Sequence, residues 1–86
     1  MARLLFIVED SFAIKGRGLV LVPGVALEDQ AGKGTRIVLK VPLGTKLKST
    51  ILGAESFMDS RVSKKAILVN LNKSQVPNGT EIWTDD

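Results

Sequence analysis

The sequence contains neither cysteine nor histidine. Without cysteine there is no disulfide and no thiolate metal site; without histidine the commonest metal ligand and the commonest general base are gone. Stability must come from packing, and the missing cysteines fit a reducing compartment. Long apolar runs are lacking as well. The longest, Leu4–Val8, has five residues, against about 20 for a membrane-spanning helix and about 7–15 for the core of a signal peptide. Glu9 and Asp10 follow it at once, so the chain reads as soluble and cytoplasmic. Missing, finally, is any sustained 3.6-residue apolar stripe, which argues against an amphipathic helix.

What is present suffices for one core. Hydrophobic residues make up 44% of 86 positions, too many for disorder. Residues 1–86 read as one small domain, close to the lower limit for folding without crosslinks. The net charge is +3, and its distribution says more than its sum. Nine of twelve Lys and Arg lie between Lys33 and Lys73, against only Glu55 and Asp59. Outside that span three basic residues (Arg3, Lys15, Arg17) face seven acidic ones. This predicts a positive surface carried by Lys33, Arg36, Lys40, Lys46, Lys48, Lys64 and Lys65, if the fold gathers them. A solvated lysine-rich exterior accounts for the same residues, and charge alone favours it.

The chain is organised around Phe12–Gly24, which reads as strand, tight turn, strand. Phe12 and Ile14 alternate with Ala13 and Lys15, the period of a strand with one buried face. Gly16 and Gly18 flank Arg17 at the turn, and Leu19–Val22 form the return strand, closed by Pro23-Gly24. Proline cannot donate to a central ladder, so Val25–Leu27 continue after a bulge. Leu4–Val8 precede this hairpin as a first strand, with Glu9–Ser11 as a polar joint. Beyond a glycine-bearing loop at residues 28–34, Arg36–Leu43 alternate again, with Ile37, Leu39, Val41 and Leu43 on one face. Lys46–Leu52 continue as far as Phe57, and Ala66–Leu71 form the next strand. Residues 72–76 read as a helical turn or loop, Pro77-Asn78-Gly79 as a turn, and Thr80–Thr84 as the last strand. Six or so short strands argue for a closed β-barrel, which removes exposed edges.

Few residues point to chemistry. Gly32-Lys33-Gly34-Thr35 lacks the spacing of a phosphate loop and is followed by a strand, not a helix. The carboxylate pairs Glu9-Asp10 and Glu28-Asp29 sit in polar joints where neighbours point apart. No catalytic residue, metal ligand or cofactor is expected, and the chain reads as non-enzymatic. Glu55 stands out as a lone carboxylate among apolar residues. It is either an outward strand residue paired with a lysine or an acceptor at the lip of a pocket.

With those residues in view, the chain resembles domain 2 of the translational GTPases, closest to the elongation factor Tu type. The resemblance runs from Phe6 to about Trp83. Its first block is Glu9-Asp10-x-Phe12-x-Ile14-x-Gly16-Arg17-Gly18-x-Val20, followed by Gly24. The second is Lys48-Ser49-Thr50-x-x-Gly53-x-Glu55-x-Phe57, and the third runs from Ala66-Ile67-Leu68-Val69 through Val76 and Gly79 to Ile82. The resemblance implies an all-β fold, a small closed six-stranded Greek-key-like barrel. It also implies a pocket for the aminoacylated CCA end of transfer RNA. There Asp10 would be the acidic joint residue, Phe12 the aromatic wall, and Ile14 and Val20 the apolar floor. Glu55 would be the pocket carboxylate, and Ile67, to within one residue, the leucine on the opposite strand. Such a site is physically sensible, since apolar faces stack a base and a carboxylate accepts its hydrogen bonds. Arg17, between turn glycines, is expected to be structural and to form a salt bridge across the barrel.

The departures are specific. Where the family has a basic residue shortly after the glutamate, this chain has Met58, or Arg61 only with a shift. The family's asparagine before the closing strand is replaced in the region of Ser63 and Lys64. No GTPase domain accompanies the barrel, so no GTP binding is expected. The initial Met and the nearly complete resemblance lead to the expectation of a whole protein. Two functions follow: a stand-alone module binding tRNA or ribosomal RNA, or a protein-interaction module using the surface that packs on neighbouring domains in the full factors. No membrane partner is expected.

Overall fold

The computed structural model describes residues 2–26, 29–58 and 63–85. The strands are β1 (Leu4–Ile7), β2 (Asp10–Ile14), β3 (Gly18–Ala26), β4 (Arg36–Lys40), β5 (Lys46–Met58), β6 (Ser63–Val69) and β7 (Glu81–Thr84), with a 3₁₀ turn at Lys73–Gln75. They form one seven-stranded antiparallel sheet in the order β1-β7-β4-β5-β6-β3-β2, curled into a half-barrel. Among the described residues no helix is long and apolar enough to cross a membrane. Glu28, Asp59 and Arg61, singled out in the sequence, lie outside the described residues.

Strand alternation builds the core. Leu19 and Leu21 of β3, Ile37 and Leu39 of β4, Ile67 of β6 and Ile82 of β7 are all fully buried. Each contributes about 1.5–3 kcal/mol by leaving water. The two edge strands are consecutive in the chain, and Val8 and Glu9 carry it from one to the other. Val8 N–H donates to the Thr80 carbonyl at 2.8 Å and Glu9 N–H to the Val22 carbonyl at 2.9 Å. The joint is thereby tied to both ends of the sheet.

The expected hairpin is present, with β2 paired to β3 from Asp10↔Val22 to Ile14↔Gly18. Arg17 N–H closes its turn on the Ile14 carbonyl at 3.0 Å. The bulge expected at Pro23-Gly24 is present too, as a register shift between Leu21 and Val25 against β6. A second bulge lies in β5 between Ile51 and Gly53. It inserts Leu52 and inverts the alternation, so Ile51 and Ala54 face the core while Glu55 faces out.

One expectation fails at β4. It ends at Lys40 rather than Leu43, because Gly44 N–H turns back to the Val41 carbonyl at 2.8 Å. Leu43, expected on the buried face, is 94% exposed at the tip of this turn. Pro42 has no N–H to extend the ladder, which ends it there.

The loop after β3 is fastened by charge. Both Arg3 guanidinium nitrogens donate to the Asp29 carboxylate, at 3.1 and 3.2 Å. Lys65 Nζ donates to the Asp29 and Ala31 carbonyls at 2.6 and 3.2 Å. The Arg3 hydrogen bonds, helped by the Ala31 N–H, hold the Asp29 carboxyl below its ordinary value of 3.8. The unfolded chain therefore binds the proton first as pH falls, so this contribution is complete above the ordinary value and is lost on passing below the lowered one. Asp29→Asn should flatten the acid limb of stability. Between pH 6 and pH 3, at roughly the ordinary carboxylate range, its urea midpoint should fall less than that of the unchanged protein. Equal falls would remove Asp29 from the acid response.

Candidate functional site: the outer face of the hairpin

β2 alternates with Ser11 inward and Asp10, Phe12 and Ile14 outward. Ser11 is fully buried and its hydroxyl has no partner, a cost of about 1–3 kcal/mol that core packing must offset. Phe12, by contrast, is 53% exposed and Ile14 38% exposed. Phe12 lies opposite Val20, and Val20 opposite Leu68 on β6. Leu68 lies opposite Gly53, and Ala66 opposite Glu55, on β5. The outer face of β2, β3, β6 and β5 thus carries Phe12, Ile14, Val20 and Glu55.

Ile67 is placed differently. It is fully buried, registered between Leu21 and Ala54, and its side chain belongs to the core. The outward wall on β6 is made by its neighbours, Ala66 and Leu68. Ile14, Val20, Glu55, Ala66, Ile67 and Leu68 line a recess of about 20 Å³. That volume holds about one water, which needs roughly 10–15 Å³. It is too small to admit a nucleobase.

Beside the recess, sharing Ile14, is an open groove of about 370 Å³. Arg17 and the hairpin turn form one bank; Asn70, Leu71, Asn72 and Lys73 form the other. Its volume falls in the range of about 300–1,000 Å³ usual for ligand sites. Arg17 bridges the outer face, its Nη2 donating to Glu55 Oε1 at 2.7 Å, as the structural reading of Arg17 anticipated. Both side chains are more than half exposed, and an exposed pair of this kind is worth only about 0–1 kcal/mol. A ligand can open it at little cost.

Lys73 was not foreseen as part of this site. Its Nζ stands 3.7 Å from Asp10 Oδ1 and 5.7 Å from the centre of the Phe12 ring, and donates to the Ser11 carbonyl. The 3₁₀ turn carries it there from far along the chain; its place in the basic span was the only sequence signal. Gln75 Oε1 accepts the Asn72 N–H at 2.8 Å and pins the start of that turn.

The basic residues divide. Arg36, Lys40, Lys46 and Lys48 share the outer face of β4 and β5, which lie four and three strands away from β2 in the sheet. Lys33 is exposed on the loop before β4. Lys64 and Lys65 lie on β6, where Lys65 is tied to the Asp29 and Ala31 carbonyls and is not part of a free basic surface. The seven do not form one patch.

Comparison with protein-family models, curated proteins and solved structures returns no match. The chemistry available to the site is therefore read from its own groups. Phe12 offers a ring face, Ile14 and Val20 an apolar floor, Arg17 and Lys73 cations, and Asn70 and Asn72 amides. Among the described residues no three Asp or Glu side chains gather as they would to hold a metal ion.

Proposed function

We propose that this chain is a non-catalytic binding module of the translation-factor domain 2 type, with the CCA end of an RNA as its ligand. The observation that carries the reading is the exposure of Phe12 and Ile14 on the outer face of the hairpin, beside the Arg17–Glu55 pair. In the finer reading of the fold, the half-barrel is a variant of the closed six-stranded Greek-key-like barrel. The direct passage from β1 to β2 through Val8 and Glu9 supports this, since it joins the sheet's two edges.

The terminal adenine lies on Phe12 and the apolar floor, where base–aromatic stacking is worth about 1–3 kcal/mol. Glu55 accepts from its amino group once Arg17 swings away. The preceding phosphates meet Arg17 and Lys73 in the groove. Neither a cofactor nor GTP is needed for this role, and its compartment is the cytoplasm.

A titration of isotopically labelled protein with a short CCA-ended RNA tests it. The resonances of Phe12, Ile14, Val20 and Glu55 should move together, and Phe12→Ala should weaken binding at least about 5-fold, the loss of one stacked base. The absence of shifts at millimolar RNA would falsify the reading. The second reading, protein docking, is favoured by Leu43 standing almost wholly in water on the turn between β4 and β5. Partners retained from lysate after nuclease, and lost on Leu43→Ser, would select it.

A further inference from the structure

The other half of the sheet carries a feature that the CCA site does not use. Arg36, Val38 and Lys40 point outward from β4, and Lys46, Lys48 and Thr50 from β5. Lys40 lies directly opposite Lys46, and Lys48 is diagonal to both Lys40 and Arg36. Directly opposed side chains start only about 5 Å apart, and like charges placed so destabilise a sheet. Among the described residues none of these four cations is in an ion pair.

An aromatic residue borders them. Trp83 of β7 lies opposite Val38, and Lys40 Nζ stands 4.3 Å above its ring. Among the described residues two carboxylates are near. Glu81 is opposite Lys40 but accepts the Trp83 indole N–H at 2.9 Å, and Asp85 shares a shallow hollow with Arg36 and Lys48. Two acids do not neutralise four bases, so an excess of positive charge stands beside one ring. Cations that track a backbone next to an aromatic face suit single-stranded nucleic acid.

We infer that the outer face of β4, β5 and β7 is a second nucleic-acid contact, holding the phosphates of a single strand on Arg36, Lys40, Lys46 and Lys48 beside Trp83. The choice of an RNA polyanion rests on the reading above; the surface itself is separate from the CCA site. An RNA long enough to reach both faces is then held at two points.

The test uses a uridine 12-mer, which has no CCA end, and follows the fluorescence of Trp83, the only tryptophan. Binding should quench it. Four phosphate contacts on a single strand give a log–log salt slope near −2.8, so affinity should fall about 50-fold from 50 to 200 mM salt. With Lys40→Gln, Lys46→Gln and Lys48→Gln combined, one contact remains and the fall should be only about 3-fold. The melting temperature of this variant should be unchanged or higher, because opposed like charges are gone. Phe12→Ala removes no cation, so it should leave the salt slope of 12-mer binding and the quenching of Trp83 unchanged while it weakens CCA binding, and the two sites fail separately. No quenching at 20 mM salt, or an unchanged salt slope in the triple variant, overturns the inference. So does equal competition by polyglutamate, which would make the face a general anion surface.

Discussion

Gly24→Ala should cost the protein about 2–5 kcal/mol, one of the two largest single-residue effects expected here. Gly24 has φ +86°, and a Cβ there would stand 2.0 Å from the Lys65 carbonyl oxygen and 2.9 Å from the Ala66 Cα. The obstacle is backbone of the central strand β6, which cannot rotate aside. A left-handed conformation costs an L-residue about 1–2 kcal/mol, and forcing packed backbone apart adds about 1–3 kcal/mol. A chain of 86 residues has roughly 4–13 kcal/mol in all, at about 0.05–0.15 per residue. With a total at the low end of that range, the variant is largely unfolded at 37 °C. Gly34→Ala is the control, because Gly34 has φ +90° with nothing near its missing Cβ. It should lose only about 1–2 kcal/mol. Equal urea midpoints for the two variants would show that the close approach to β6 is not what makes Gly24 necessary.

The second large effect separates core from site on adjacent residues of β6. Ile67→Ala removes a fully buried side chain between β3 and β5, and should cost about 2–5 kcal/mol. Leu68→Ala takes a half-buried side chain from the outer face and should cost about 1 kcal/mol, in line with ordinary substitutions. In binding the order reverses. With the proposed CCA site, Leu68→Ala should loosen the wall of the recess and weaken binding of CCA-ended RNA, whereas any Ile67→Ala that stays folded should bind as the unchanged protein does. Chemical denaturation and RNA titration on the same two variants check both halves. A binding loss confined to Ile67→Ala would return that residue to the site and remove Leu68 from it.

The reversal illustrates how far the sequence carries. Alternation within β6 was plain from Ala66–Leu71, but alternation has two phases and nothing local selects between them. The resemblance placed Ile67 at the pocket; pairing with Leu21 turned it inward. Glu55 is the sharper case. By simple alternation it shares a face with Ile51, which is buried. The bulge at Leu52 alone turns it outward; the isolated strand glycine Gly53 beside it is the one local signal, and it does not by itself tell which face follows. Lys65 shows the same limit for charge, because its engagement with Asp29 and Ala31 depends on a loop folding over the strand.

What the sequence determined by itself were the features written in neighbouring residues. Phe12–Gly24 specified a hairpin through its alternation, its turn glycines and a proline that forces a bulge, and the missing helical stripe specified an all-β chain. The tertiary structure alone decided which face each strand presents, that Lys73 stands over Phe12, and that the basic residues split between two surfaces. The physical reason is range. Turn and strand preferences act over two to four residues, whereas register, bulge position and charge pairing are set by strands meeting from distant parts of the chain.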